Sequence, residues 1–118
     1  MKRILLLIAF CTVSIFASAQ SDYYAKKAMD YIAEAQRYLK KAESYDHEAE
    51  YYNKKADSYL RDAEYYARNK NYDRAADNVK WARDAADKAI TQAKYANDAR
   101  DNARNQMQWA KNALDKSK

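Results

Sequence analysis

The single histidine and a few pairs of acidic residues are the side chains that could do chemistry in this sequence. A histidine close to cysteines or further histidines could hold a metal ion, and one beside a nucleophile could act as a general base. His47 has no such neighbour and falls two positions after Tyr45, on a side expected to face solvent. Acid pairs such as Asp84 with Asp87 lie among charged residues. We therefore predict a protein that is not an enzyme, with no catalytic, metal-binding or cofactor-binding residues.

Nucleic-acid and membrane binding are also disfavoured by composition. The chain has no glycine, so it has no glycine-rich loop to cradle a phosphate. Lysine and arginine alternate with aspartate and glutamate, so no basic stripe forms. A membrane-surface helix needs a broad face of large apolar residues, whereas alanine dominates here. We expect no nucleic-acid partner.

Aromatic residues are the stronger candidates for binding. Tyrosine occupies every seventh position from Tyr24 to Tyr66, and further aromatic residues stand one position before this repeat or before an alanine repeat. They are Tyr23, Tyr51, Tyr65, Trp81, Tyr95 and Trp109. Because aromatic residues are enriched in interfaces, these six form a candidate interaction edge. The alternative is that all these rings only cover a helix pair, with their polar tips in water.

Two long helices would position these rings. Each of the first six tyrosines of the repeat is followed four positions later by an alanine, from Ala28 to Ala63. Such a seven-residue repeat indicates a helix that keeps one seam against a partner. No glycine or proline interrupts it, and good helix formers fill the other positions. We predict a first helix over about 21–68, with Ser21 as its N-cap.

The repeat fails at Asn69-Lys70-Asn71, because continuing it would bury Lys70 and Asp73. A new repeat follows, with two lines that could face the first helix. They are Ala75, Ala82, Ala89, Ala96, Ala103 and Ala110, and Val79, Ala86, Ala93, Arg100, Met107 and Leu114. We predict a turn at about 69–71, with Asn69 left-handed and Asn71 as N-cap, and a second helix over about 72–116. One continuous helix with a stutter is the alternative.

Two long helices with a short connection predict an all-α fold, a long antiparallel hairpin zipped by alanine and tyrosine as a heptad coiled coil. Partner numbers would sum to about 138, which sets Tyr59 beside Val79, or to about 141. Because alanine buries little area, we expect a homodimer forming a four-helix bundle, with a monomer as the alternative. Arg100 interrupts the second line; we expect its stem to cross Tyr38, and an anion site is the alternative.

The N-terminus reads as a secretory signal peptide over residues 1–19. Lys2 and Arg3 precede an apolar run, and Ala17-Ser18-Ala19 is a small-x-small cleavage site. A membrane anchor is the alternative, but the run is shorter than the ~20 residues that span a bilayer. Cleavage would leave residues 20–118, with 20 basic against 17 acidic residues, a net charge of +3.

The only cysteine, Cys11, lies inside the signal sequence and follows Phe10, where a lipoprotein signal needs a small residue. We therefore expect no lipid anchor and, after cleavage, no thiol and no transmembrane segment. The predicted location is the periplasm or the extracellular space.

The segment from Asn69 to Ala76, between two alanine-rich helices, resembles the turn of small alanine-rich helical-hairpin proteins of the bacterial envelope, which typically reads Gly-Asp-Tyr followed by Arg-Ala or Lys-Ala. The turn is also similar to the helix junction of a tetratricopeptide repeat, but the 34-residue period is missing. The alanine heptads are similar to those of the murein lipoprotein, whose terminal lysine is linked to peptidoglycan; Lys118 is terminal here, without a lipoprotein signal or a leucine line. These resemblances imply a shape and a location and no activity.

We therefore expect an exported, non-enzymatic scaffold or spacer protein of the bacterial envelope, whose partner is a second copy or another envelope protein. The alternative is a periplasmic adaptor or chaperone-like binding module that uses the aromatic edge. A rod associated with peptidoglycan is a third hypothesis.

Overall fold

The computed structural model describes the backbone of residues 2–118 and the side chains of residues 21–118. The chain forms two helices, α1 (Lys2–Arg68) and α2 (Tyr72–Ser117), which make a hairpin. No strand occurs in residues 2–118, so the predicted all-α hairpin is confirmed. The predicted signal peptide falls outside the residues whose side chains are described, and its cleavage stays a prediction.

Ser21 does not cap the first helix, which corrects the predicted start of that helix. α1 begins at Lys2, because no glycine or proline separates the apolar run from the tyrosine repeat. Ser21 instead connects the two helices: its Oγ donates a hydrogen bond to the carbonyl oxygen of Ser117 at 2.9 Å.

The turn closes α1 with a Schellman motif. The backbone N–H of Asn71 donates to the carbonyl of Tyr66 at 2.8 Å, and that of Lys70 donates to the carbonyl of Ala67 at 3.1 Å. The left-handed residue is Lys70, with φ of 61°, and not Asn69 as predicted. The Asn69 amide donates back to the Tyr65 carbonyl at 2.8 Å, which satisfies an end carbonyl of α1.

Asn71 caps α2, as the sequence suggested. Its Oδ1 accepts a hydrogen bond from the backbone N–H of Arg74 at 3.4 Å, the N3 position that an N-cap side chain serves. The chain therefore turns at this point instead of continuing as one helix.

The hairpin divides into two units. Unit 1 comprises Met1–Arg37 and Asn102–Lys118, and unit 2 comprises Tyr38–Asp101. In each unit a segment of α1 pairs antiparallel with a segment of α2. In unit 2, for example, Tyr45 meets Tyr95 and Tyr59 meets Trp81, so the α2 number falls as the α1 number rises.

The buried face of each helix is made of alanine. All the buried hydrophobic residues among residues 21–118 are alanines, and they include both predicted alanine lines. The seven tyrosines from Tyr24 to Tyr66 are half-buried at the edge of this seam. Alanine lets the helix axes approach closely, and each tyrosine ring then covers the contact while its hydroxyl stays near water. The predicted alanine and tyrosine seam of α1 is confirmed.

The second line predicted for α2 is wrong by one position. Val79, Met107 and Leu114 are 51%, 46% and 43% exposed, and Ala93 is exposed, whereas Ala86 and Arg100 are half-buried. The line that faces α1 is instead Asn78, Ala85, Gln92, Ala99, Gln106 and Ala113. Both lines satisfy a heptad, because residues three and four positions after the alanine line lie on the same side of a helix.

The line that packs is the less apolar of the two. The line that packs alternates alanine with an amide side chain, so it leaves room beside the close alanine contacts for the aromatic rings. The ring contacts across the hairpin join residues whose numbers sum to 140, between the predicted sums of about 138 and about 141. Tyr59 packs against Trp81 instead of Val79, and Tyr31 against Trp109 instead of Met107.

Candidate functional site

The six residues of the predicted interaction edge are all exposed, between 45% and 64%. Each of them packs against one tyrosine of the seven-residue repeat. Tyr23, Tyr51 and Tyr65 contact the next residue of α1, with ring centroids 5.3 to 5.5 Å apart. The three from α2 make their contacts across the hairpin. They are Trp109 with Tyr31, Tyr95 with Tyr45 and Trp81 with Tyr59, at 5.5 to 5.8 Å.

Three tyrosines of the repeat meet a cation of α2, whereas Tyr38 meets Lys41 of its own helix, whose Nζ lies 5.7 Å from the ring centroid. The Lys116 Nζ lies 5.9 Å from the ring centroid of Tyr24, and the Lys88 Nζ lies 5.6 Å from that of Tyr52. Nearest the turn, the Arg74 guanidinium lies 5.5 Å from the ring of Tyr66. These positions fit cation–π contacts. Each unit therefore places aromatic pairs next to ring-held cations.

Unit 1 contains a surface groove between one such aromatic pair and one such cation. Groove 1 has a volume of about 200 Å³. Its α1 side is made by Tyr24, Lys27 and Tyr31, and its α2 side by Trp109, Asn112, Ala113 and Lys116. The floor is an alanine of the packed line of α2, and the neighbouring member of that line, Gln106, is larger.

Unit 2 contains the same groove. Groove 2 also has a volume of about 200 Å³, and its lining is Tyr52, Lys55, Tyr59, Trp81, Asp84, Ala85 and Lys88. Each α1 residue stands 28 positions after its counterpart in groove 1, and each α2 residue stands 28 positions before. Only one position differs in residue type, because Asp84 replaces Asn112. Two equivalent constellations of two tyrosines, one tryptophan and two lysines therefore occur in one chain.

The sequence carries a signal for these grooves that the aromatic spacing alone did not reveal. Tyr-x-Lys-Lys-Ala-x-x-Tyr occurs at 24–31, 38–45 and 52–59, and Trp-Ala-x-x-Ala-x-Asp-Lys occurs at 81–88 and 109–116. Successive copies of the first pattern begin fourteen residues apart, and the two copies of the second begin twenty-eight residues apart. The lysines looked like ordinary outer-face charges, and only the register shows that they flank the tryptophans.

The lysines contributed by α1 are held by a second tyrosine. The Nζ of Lys27 lies 5.4 Å from the ring centroid of Tyr23, and that of Lys55 lies 5.1 Å from that of Tyr51. A hydrogen bond to the Tyr23 hydroxyl, together with the electrostatic attraction between the two groups, raises the pKa of Lys27 above the usual 10.5. Tyr51 raises the pKa of Lys55 in the same way. Both side chains are therefore ammonium ions at neutral pH.

His47 and Arg100, the other polar residues considered from the sequence, lie outside the grooves. His47 is exposed, with its Nε2 3.8 Å from Glu43 Oε1. The Arg100 guanidinium forms an ion pair with Asp46 and donates to Asn97 Oδ1 at 3.2 Å. Since a carboxylate of the chain already occupies this guanidinium, the alternative of an anion site at Arg100 loses its support. Across residues 21–118, no group of three or more metal-ligating side chains is assembled.

No helix in the described part of the chain has an apolar stretch long enough to cross a bilayer. No protein family, no curated protein and no solved structure matches the chain.

Proposed function

We propose that the protein is an exported, non-enzymatic scaffold or spacer of the bacterial envelope. The observation that supports this proposal is the buried face, in which every buried side chain among residues 21–118 is alanine except that of Asn78. The two helices pack closely along this face. Ion pairs on the outside, such as Glu50 with Lys54 at 3.2 Å, stabilise the helices.

Self-association would complete such a scaffold. A buried alanine methyl contributes only about 0.8 kcal/mol, so a single hairpin has little apolar stabilisation. The exposed rings of the interaction edge supply apolar area that a second copy would cover. We propose a homodimer that forms a four-helix bundle.

Light scattering across a hundredfold range of concentration tests the dimer. The dimer mass is expected for the unchanged protein, and replacing the exposed Tyr51 and Tyr95 by lysine is expected to give the monomer mass. Thr91→Lys, at an exposed polar position of α2, is the matched control and should leave the mass unchanged. A monomer at every concentration would refute self-assembly.

Export is tested by mass spectrometry of the protein recovered from the periplasm of a Gram-negative host. The expected N-terminus is Gln20. Ala19→Lys, at the small residue before the cleavage site, should block processing, whereas Ser18→Lys, at the variable position, should permit it. Unprocessed protein in the cytoplasm would contradict the proposed location.

The second candidate function is an adaptor or chaperone-like module for another envelope protein. The exposure of the aromatic edge is the observation that favours it. A photo-crosslinking residue at Tyr51 or Tyr95 distinguishes the two functions, because a crosslink to a second copy supports the bundle and one to a different protein supports the adaptor. The third hypothesis, a peptidoglycan-associated rod, predicts sedimentation with purified peptidoglycan that is lost when Lys118 is deleted.

A further inference from the structure

We propose that grooves 1 and 2 are two copies of a binding site for acidic sugar units, such as the uronic acid residues of an anionic polysaccharide. The proposal concerns ligand recognition and does not depend on whether the protein is a scaffold. It requires that Trp81 and Trp109 stay accessible, so a second copy would have to cover the other rings of the interaction edge. It rests on the size of the grooves, the chemistry of their walls and their charge.

The size of groove 1 fits one ring-sized group. Its volume of about 200 Å³ is below the ~300–1,000 Å³ of sites for drug-sized ligands. Tyr24 and Tyr31 are seven residues apart on α1, which corresponds to about 10 Å along a helix axis. A single six-membered sugar ring can enter between two aromatic residues at this separation, while the next unit of a chain remains outside.

The walls suit an amphipathic ring. Each groove is lined by two tyrosines and one tryptophan, whose side chains carry aromatic rings, two phenolic hydroxyls and an indole N–H. Aromatic side chains of this kind combine an apolar surface with a polar group that forms hydrogen bonds. A sugar ring has matching surfaces, because its C–H groups form an apolar face and its hydroxyls lie around the rim. A purely aromatic ligand would form few of these hydrogen bonds, so it would gain less from the polar groups than a sugar would.

The charge of the grooves selects an acid. Lys27 and Lys116 line groove 1, and its described lining includes no carboxylate. Each ammonium group belongs to a lining residue and lies over a tyrosine ring, at 5.4 Å for Lys27 over Tyr23 and 5.9 Å for Lys116 over Tyr24. A ligand carboxylate there would form charge-assisted hydrogen bonds, which are stronger than neutral ones.

The single difference between the grooves predicts their order of affinity. Asp84 lines groove 2 at the position of Asn112 in groove 1. Its negative charge opposes an anionic ligand beside the lysines Lys55 and Lys88. Groove 1 should therefore bind an acidic sugar more tightly than groove 2, whereas a neutral sugar should not distinguish them in this way.

Tryptophan fluorescence can follow each groove separately, because the chain has only two tryptophans and each groove contains one. The purified protein is titrated with trigalacturonate, using Trp81→Phe to observe groove 1 and Trp109→Phe to observe groove 2. We expect saturable changes at both, with tighter binding at groove 1. The fully methyl-esterified trisaccharide has the same rings without the charge and should bind at least about tenfold more weakly.

Two kinds of variant test the site itself. Ala113→Gln places in groove 1 the side chain that the same line carries at Gln106, and should abolish the response of Trp109 while leaving that of Trp81. Ala93→Gln, the same substitution at an exposed position, is the matched control. Asn112→Asp should weaken groove 1 and Asp84→Asn should strengthen groove 2, each by about threefold to tenfold.

Circular dichroism shows which variants fold. If Ala113→Gln impairs folding, the variants Asn112→Asp and Asp84→Asn still test the site, because both positions are exposed.

Equal binding of the esterified trisaccharide would overturn the acidic specificity. Tighter binding of benzoate than of galacturonate would overturn the sugar assignment, as would competition by a single-stranded oligonucleotide at lower concentration than trigalacturonate. Binding that survives both Asn112→Asp and Ala113→Gln unchanged would overturn the location.

Discussion

Leucine substitutions at two nearby alanines of α2 test which line of this helix packs against α1. Ala96 is fully buried, whereas Ala93, three residues earlier in the same unit, is exposed. The line predicted from the sequence placed Ala93 in the seam as well. The structure therefore predicts different outcomes for Ala96→Leu and Ala93→Leu, and the sequence-based line predicts that both substitutions alter the seam.

The expected magnitude follows from the lack of space around Ala96. Among the described residues, every buried hydrophobic side chain is alanine, and the largest buried side chain is that of Asn78. The three added carbons of leucine can enter only by separating the helices, and overpacking of this kind costs about 1–3 kcal/mol. Ala93→Leu extends into solvent and should change the free energy of unfolding by no more than about 0.5 kcal/mol. Both residues are strong helix formers, so propensity contributes little to the contrast.

Thermal and urea unfolding, followed by circular dichroism at equal protein concentrations, measure the difference. Each kcal/mol shifts the Tm of a domain of 60–100 residues by about 4–8 °C, so Ala96→Leu should lower the Tm by at least that amount. The reasoning is refuted if Ala96→Leu is neutral or stabilising, or if Ala93→Leu is equally destabilising. A changed urea m-value would indicate an altered native or denatured state and would be analysed separately.

Three further predictions follow from the described contacts. Ala56→Leu, on the alanine line of α1, should destabilise the fold by about 1–3 kcal/mol. Its control, Glu50→Ala, removes only an exposed ion pair and should cost less than about 0.5 kcal/mol. A raised Tm for Ala56→Leu would exclude the close alanine contact. Lys70→Gly removes a side chain from a left-handed residue and should stabilise by up to about 1 kcal/mol in urea unfolding, so a loss of stability would argue against the Schellman turn. NMR titration of the Lys27 side chain should give a pKa above 10.5 that falls towards this value in Tyr23→Phe, and an unchanged titration would exclude the hydroxyl as the cause.

The direction of the Lys27 pKa shift determines how this residue makes stability depend on pH. Because the pKa of Lys27 is higher in the folded chain than in the unfolded chain, the folded chain binds the proton more tightly. The resulting stabilisation is complete below pH 10.5 and is lost as the pH rises through the folded-state pKa. The pH dependence of this contribution should therefore be confined to alkaline solution.

Local features made the helices and the turn predictable from the sequence. The tyrosine and alanine repeat before Asn69 and the alanine repeat after Asn71 are out of phase, which favoured a turn between them over one continuous helix with a stutter. The absence of glycine and proline favoured helix everywhere else. The six aromatic residues of the interaction edge are exposed in the structure, because each of them stands one position away from the seam.

The candidate site was less accessible to sequence reasoning. Its lysines, such as Lys27 and Lys88, have the spacing of ordinary surface charges on their own helices. Their relation to Trp81 or Trp109 depends on residues far apart in the chain. A search for repeats of fourteen residues would have grouped them, but it would not have shown that two such repeats meet in one groove.

The sequence by itself determined two helices, one turn and an alanine seam, because each depends on residues within a few turns of one another. Only the tertiary structure decided that Ala85, Ala99 and Ala113 face α1 while Val79 and Leu114 lie outside. Residues three and four positions from an alanine line are equivalent within one helix, and the more apolar line was the wrong choice. The packed line sets alanine or an amide side chain against α1, and the register between the helices pairs tyrosine with tryptophan at the two grooves.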